Sequence, residues 1–349
     1  MKIKSPLTNQ KEVKPLCDAG ANELFCGIEP YEWRRKYRDF SINQRSTGAN
    51  FTKLSDLEKA ISVAHGHNVK VHVAINAFFY LERQYEAAEK IIKEIFNIGA
   101  DGVILADPVL LLKLSKDLLK GKDVVVGCDA TIFNSAGVRF YEKLGATRIV
   151  FPRSMTVDEM KDVVELNARI EYEVFIIHDL CFFEDGFCTY CKEASGGLKK
   201  EGRGRRNVYF LSASRIPTRG FDGGCRTRFS RQKFSLHNNK QMGEIKPFTF
   251  WGKKHIQGCG VCALQAFKDM GITTLKVLDR NLPTEEKVKA TAFIKKCQEL
   301  LDDSQISKYD YIQKCKAIFK ETFKVKCNRT DCYYPSVFLN GKSSSYHQD

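Results

Sequence analysis

Four stretches of the chain repeat one arrangement of polar and apolar positions: Ala19–Phe25, Ile98–Leu105, Leu144–Phe151 and Met270–Val277. In each, a glycine follows a helical pattern, and two or three small or polar residues lead into a short apolar run. Glycine is the usual residue just past a helix end, and a short apolar run suits a strand buried on both faces. These are joints where a helix gives way to a strand. The helices themselves are legible. Ala88, Ile91, Ile92, Ile95 and Phe96 fall at i, i+3, i+4, i+7 and i+8 and make one apolar face. Thr156 and Glu159 are spaced as a capping box ahead of Met160, Val163 and Val164.

Continued along the chain, this pattern predicts eight strands: 2–5, 23–28, 70–76, 102–107, 123–129, 148–153, 171–177 and 274–279. Most are separated by a helix-sized stretch, and eight such units close an α/β fold of the (β/α)8, TIM-like barrel type. A doubly wound sheet with a small separate domain fits the same pattern. The gap from His178 to Thr273 is too long for one helix and reads as an insertion between strands 7 and 8. The expected organisation is barrel units 1–7 over residues 1–178, a cysteine-rich basic insertion over 179–270, barrel closure over 271–300, and a C-terminal extension and tail over 301–349. A helix is expected in that extension from about Lys308 to Phe323.

Predicted strand ends are polar where the runs before them are not: Asn76, Asp107, Asp129, Arg153, His178, and Asp279 with Arg280. Barrels of this type do chemistry at the C-terminal face, where such groups converge on one substrate. Individually, Asp and Asn also cap helices. Charge adds a second feature. The formal charge is +14, and Ser195–His255 holds fifteen Lys and Arg against three acids, so the rest of the chain is nearly neutral. An anionic partner is expected to meet that segment. No apolar run approaches the ~18 residues of a membrane helix. The start, Met1-Lys-Ile-Lys-Ser-Pro, has no apolar signal core, so the expected location is the cytoplasm, with no membrane contact.

The thirteen cysteines are an odd number without a secretion signal, which favours metal ligands, reactive thiols or buried apolar groups over disulfides. Six fall in the insertion: Cys181, Cys188, Cys191, Cys225, Cys259 and Cys262. The Cys188/Cys191 and Cys259/Cys262 pairs have CxxC spacing and suit four-thiolate zinc, while thiolates serve iron–sulfur clusters equally. The radical-initiating CxxxCxxC pattern is absent. Cys327 and Cys332, five apart, read as a metal pair, a redox pair or neither.

Several stretches resemble the peptidase U32 family over roughly residues 1–300: Asp18–Gly27, Asn50-Phe51, Val69–Asn76, Gly99–Asp107, Phe175–Cys181 and Gly271–Arg280. The spacing of Cys181 and Cys188, then Gly224-Cys225-Arg226, then a cysteine before the last strand, is similar to that family's four-cysteine signature. The resemblance implies a 4Fe-4S cluster held by Cys181, Cys188, Cys225 and Cys259, with zinc as the alternative metal. It also implies a choice of tasks: hydroxylation of RNA bases, oxygen-independent hydroxylation of a quinone ring with a partner, or collagenase-like hydrolysis. The chain departs from the family in its long Cys188–Cys225 separation, in Lys276-Val-Leu-Asp-Arg280 where the family has Lys-Ile-Glu-Gly-Arg, and in Arg153-Ser154 where it has Arg-Glu.

The leading expectation is therefore an iron–sulfur enzyme of the redox or hydroxylation type, acting on RNA or a small anionic substrate at the barrel mouth. Arg153, Lys276 and Arg280 would hold anionic groups, and Asp107, Asp129 and His178 would move protons. RNA would meet the basic residues of 199–233, with nearby aromatics stacking on bases. Two alternatives stand beside it. One is a U32-type peptidase, for which the sequence offers no HExxH, GxSxG or spaced Cys-His pair. The other is a non-catalytic four-cysteine scaffold that binds RNA or a protein partner.

Overall fold

The computed structural model describes residues 1–37, 40–43, 47–167, 169–181, 184–187, 198–201, 208–211, 232–234, 241–244, 258–328 and 331–339. Its strands are β1 Lys2–Pro6, β2 Glu23–Ile28, β3 Asn50–Phe51, β4 Lys70–Ala74, β5 Gly102–Leu105, β6 Asp123–Val126, β7 Arg148–Val150, β8 Glu171–Ile177, β9 Leu198–Glu201, β10 Val208–Leu211, β11 Gln232–Phe234, β12 Gln241–Glu244 and β13 Thr274–Val277. Eight of them run parallel in the order β1, β2, β4, β5, β6, β7, β8, β13, and β1 pairs with both β2 and β13, so the sheet closes. The fold is the expected (β/α)8 barrel. The two-residue β3 lies outside the ring, paired with the end of β2. Within the insertion, β9 with β10 and β11 with β12 form antiparallel pairs.

The predicted joints are where the chain turns inward. Gly20, Gly99, Gly145 and Gly271 all hold positive φ, from 87° to 104°, a conformation that costs an L side chain but not glycine. The Thr156/Glu159 capping box starts the helix Val157–Leu166. The stripe from Ala88 to Phe96 is buried on the helix Glu82–Asn97. Five strands stop two or three residues short of expectation at their C-terminal ends, because polar strand-end residues already turn the chain. Asp107, for example, is the N-cap of the helix Pro108–Lys113 and accepts from the Val109 and Leu110 amides. The helix Lys308–Phe323 forms as expected, capped by Ser307.

Helices cover the outside of the ring, so the apolar residues of each strand face outward and the interior receives the alternate positions. In Lys2-Ile-Lys4, Lys70-Val-His72 and Glu171-Tyr-Glu173 those alternate positions are charged or polar. Barrel interiors usually hold layers of branched aliphatics. The lower half of this one is ionic.

Candidate active site

The lower layer is a closed set of ion pairs. The Arg148 guanidinium donates to both Glu23 oxygens, at 2.6 and 2.9 Å, and reaches Glu173 and Glu171. Lys4 Nζ lies 2.7 Å from Glu173 and 3.4 Å from Glu23. His72 Nε2 meets Asp123 at 3.0 Å, where Lys70 also binds from outside. Two fully buried cations, Lys4 and Arg148, thus face two fully buried anions, Glu23 and Glu173. Burial alone would raise Glu23, but Lys4 and the Arg148 bond hold it down to about 2. Glu173 is likewise kept well below the usual carboxylate range, with Lys276, Lys4 and Arg148 overcoming its burial. Burial lowers Lys4 to about 8 despite both glutamates. Burial and the Lys4 charge push His72 down, so its imidazole stays neutral.

Lys276 forms the lid of this layer and the floor of the mouth. Its ammonium lies 2.8 Å from Glu173 and sits over the Phe25 ring at 4.6 Å and near Phe175 at 5.9 Å. The Arg153 guanidinium covers Phe175 at 4.7 Å, so one aromatic ring lies between the two cations. Above it, Arg153 pairs with Asp185 and with Asp179 at 3.4 Å. Asn76 donates to Asp129, and Cys128 lies within electrostatic reach of Asp185, Asp129, Arg153 and Lys276. The C-terminal ends of β4, β6, β7 and β8 therefore deliver Asn76, Cys128, Asp129, Arg153, Asp179 and Asp185 to one place. Backbone at this rim is in the left-handed region at Thr131, His178, Asp179 and Asp279, a costly conformation for residues with a Cβ.

Arg280 reaches another part of the mouth. It donates to Asn50 at 3.1 Å and packs with Asn43 directly over Gly27, where a side chain would collide with all three. Two expected proton movers are engaged elsewhere. The Asp107 carboxylate accepts from the Val109, Leu110 and Tyr80 amides and from the Tyr85 hydroxyl. His178 is buried, its carbonyl accepts from the Tyr333 hydroxyl, and its ring stands edge-on to Phe323 at 6.0 Å. It belongs to the contact with the C-terminal segment.

Among the described residues, only Cys128, Asp129 and Asp185 bring three ligand atoms within 4.8 Å of one another. Arg153 already supplies positive charge to Asp185 there. Burial, then Asp185 and Asp129, push the Cys128 thiol well above its ordinary value, the reverse of an activated thiolate. Of the cysteines expected to hold a cluster, Cys188 and Cys225 lie outside the described residues, and so do the Arg and Lys residues of 202–231. Cys181 is half-buried just past β8. Cys259 is buried and lies within electrostatic reach of Cys262, Cys327 and Cys332. The described residues do not assemble the four-cysteine set.

Sequence reasoning missed the lower ionic layer, Cys128, and a group of aromatics. Tyr31, Phe79, Phe133 and Phe187 follow β2, β4, β6 and β8 and are 66, 49, 38 and 73% exposed. A cavity of about 430 Å³ lies at the opposite end of the barrel, lined by Met1, Asn22, Lys268, Lys295 and Gln298, and shares none of the converging groups. Among the described residues no helix is long and apolar enough to cross a membrane.

The family model for peptidase family U32 matches residues 8–348, which includes the C-terminal segment beyond the resemblance read from the sequence. A tRNA hydroxylation protein P of Helicobacter pylori is 25% identical over 58% of this chain and 45% of its own length. An uncharacterized protease of Methanocaldococcus jannaschii is 27% identical over 54% of this chain and 43% of its own. The chain thus spans less than half the length of these two relatives. The tRNA hydroxylation protein P2 of Bacillus subtilis is 22% identical over 89% of this chain and 91% of its own length.

Proposed function

The chain belongs to peptidase family U32, and from that premise we propose that it is a tRNA-modifying enzyme whose target base enters the C-terminal mouth of the barrel. The observation that carries the reading is the convergence of Asp129, Arg153, Asp185 and Cys128 above the Lys276 floor. Relatives named for tRNA hydroxylation support the substrate class. A base read by an enzyme leaves the stack, at a cost of about a few kcal/mol, and needs a lined pocket and flanking contacts. The exposed Tyr31, Phe79, Phe133 and Phe187 rings would stack on neighbouring bases, and the basic residues of 199–233 would neutralise phosphates.

In this proposal Arg153 and Lys276 bind electron-rich atoms of the base and its phosphate, Arg280 holds a further anionic group, and Asp129 takes or returns the proton. Asp107 and His178 shape the rim through the bonds described above. The finer reading is an oxygen-independent, redox hydroxylation in the cytoplasm. A 4Fe-4S cluster on Cys181, Cys188 and Cys225 would supply its redox chemistry when bound, with zinc the alternative metal. Hydrolysis of peptides is the weaker reading, since Cys128 is flanked by carboxylates and its thiol is kept protonated.

The test is complementation. The chain is expressed in a bacterium deleted for its own tRNA hydroxylation proteins, and digested tRNA is read by mass spectrometry. Wild type should restore a nucleoside carrying one additional oxygen, and Asp129→Asn should not. Unaltered tRNA with well-expressed wild-type protein would sink the proposal.

A further inference from the structure

The C-terminal segment is joined to the end of β8 through the Gly258-Cys259-Gly260 tripeptide. Cys259 bridges Ile177 on one side and Cys332 on the other. Its amide donates to the Asp331 carbonyl at 2.9 Å, and its carbonyl accepts from Tyr333 at 3.0 Å. Tyr333 and Tyr334 pack against Gly258 and Gly260 so closely that a Cβ at either glycine would strike a ring. This arrangement gathers thiols that lie far apart in sequence. Cys259 lies within electrostatic reach of Cys262, Cys327 and Cys332, Cys262 of Cys327 and Cys332, and Cys332 of Cys327. All four are free thiols. Their spacing, two intervening residues in Cys259/Cys262 and four in Cys327/Cys332, is that of paired thiolate ligands.

We infer that Cys259, Cys262, Cys327 and Cys332 hold one tetrahedral zinc ion that fastens the C-terminal segment to the barrel. Four neutral thiols make poor core packing, whereas four thiolates on zinc close a site that needs no further donor. Each thiol gives its proton to solvent as it takes the metal. Such a site carries net negative charge, and Lys316 stands within reach of Cys262, Cys327 and Cys332 to offset it. No three of these sulfurs lie within 4.8 Å of one another, but the backbones of Cys259 and Cys332 are already paired, so the set closes mainly by side-chain rotation. This use of Cys259 removes it from the cluster ligands expected from family resemblance. The inference concerns a different site from the tRNA reading and does not depend on it.

The test uses the full chain purified without oxygen. Metal analysis should find about one zinc per chain. That zinc should be lost in Cys327→Ser and Cys332→Ser, kept in Cys181→Ser and Cys315→Ser, and restored in Cys332→His. Because a serine variant can fail to fold, wild-type protein is also alkylated with and without a strong zinc chelator and its peptides mapped. Cys259, Cys262, Cys327 and Cys332 should become reactive together on chelation, with Cys297 and Cys315 unchanged. Absence of zinc, reactivity indifferent to the chelator, zinc lost in Cys181→Ser, or iron in place of zinc at this set would each overturn the inference. Zinc bound normally in a protein that leaves tRNA unaltered would count against the tRNA proposal alone.

Discussion

The two halves of the barrel interior are both rich in charge and use it oppositely. In the lower half Lys4, Arg148, Glu23 and Glu173 neutralise one another and are sealed from water. At the mouth, Asp129, Asp179, Asp185 and Cys128 keep partial contact with solvent, and the strand ends hold left-handed backbone. Buried charge with shifted ionisation is therefore not what marks the site in this molecule. The lower half has the deeper burial and the larger perturbations, and it is structural. Geometry at the mouth, where groups from four strands meet and a substrate can enter, carries the functional argument.

The difference can be broken first by Arg148→Met. If the lower layer is structural, leaving Glu23 and Glu173 buried without that cation should cost about 3–5 kcal/mol in urea unfolding. A change near zero would mean the layer is not the clamp described. Acid comes next. Glu23 is ionised in the fold down to about 2, against an ordinary value of 4.5, so its contribution is present above pH 4.5 and lost as pH falls toward about 2. That loss is at most about 3 kcal/mol. Unfolding free energy measured between pH 5 and 2 should fall along this limb, and Glu23→Gln should flatten it (both pH limits are rough bounds set by about one unit either side of the titration). The smallest effect on the fold belongs to the mouth. Phe187→Ala should leave stability within about 0.5 kcal/mol yet weaken tRNA binding by about 1–3 kcal/mol, read by filter binding at fixed salt.

Much of the fold was legible because its signals are local. Gly20, Gly99, Gly145 and Gly271 mark the joints through a backbone conformation that a single residue decides. Thr156 and Glu159 mark a helix start within one turn. The lower ionic layer was also written locally, as period-two polarity in Lys2-Ile-Lys4, Lys70-Val-His72 and Glu171-Tyr-Glu173, but that pattern normally signals a solvent-facing side. Only closure of the ring turns those positions inward. The mouth was legible in part. Asp129 and Arg153 are where strand-end polarity placed them, while Asp107 and His178 carry the same polarity and serve a helix cap and an interdomain-like contact instead. A strand-end polar residue looks alike in both roles until its partners, far off in sequence, are known. Cys128 and its neighbour Asp185 have no local signal at all.

The bonds from Tyr333 to the His178 carbonyl and from Tyr334 to the Phe175 carbonyl, the latter 2.8 Å, link the end of β8 to residues synthesised more than 150 positions later. During translation the rim of the barrel therefore waits. β8 can pair with β7 as soon as both have left the ribosome, but its carbonyls at the mouth stay exposed until the tyrosines arrive. The part of the molecule where chemistry is proposed is the last to be finished, so a ribosome that stalls before Tyr333 leaves a barrel wall without a working entrance.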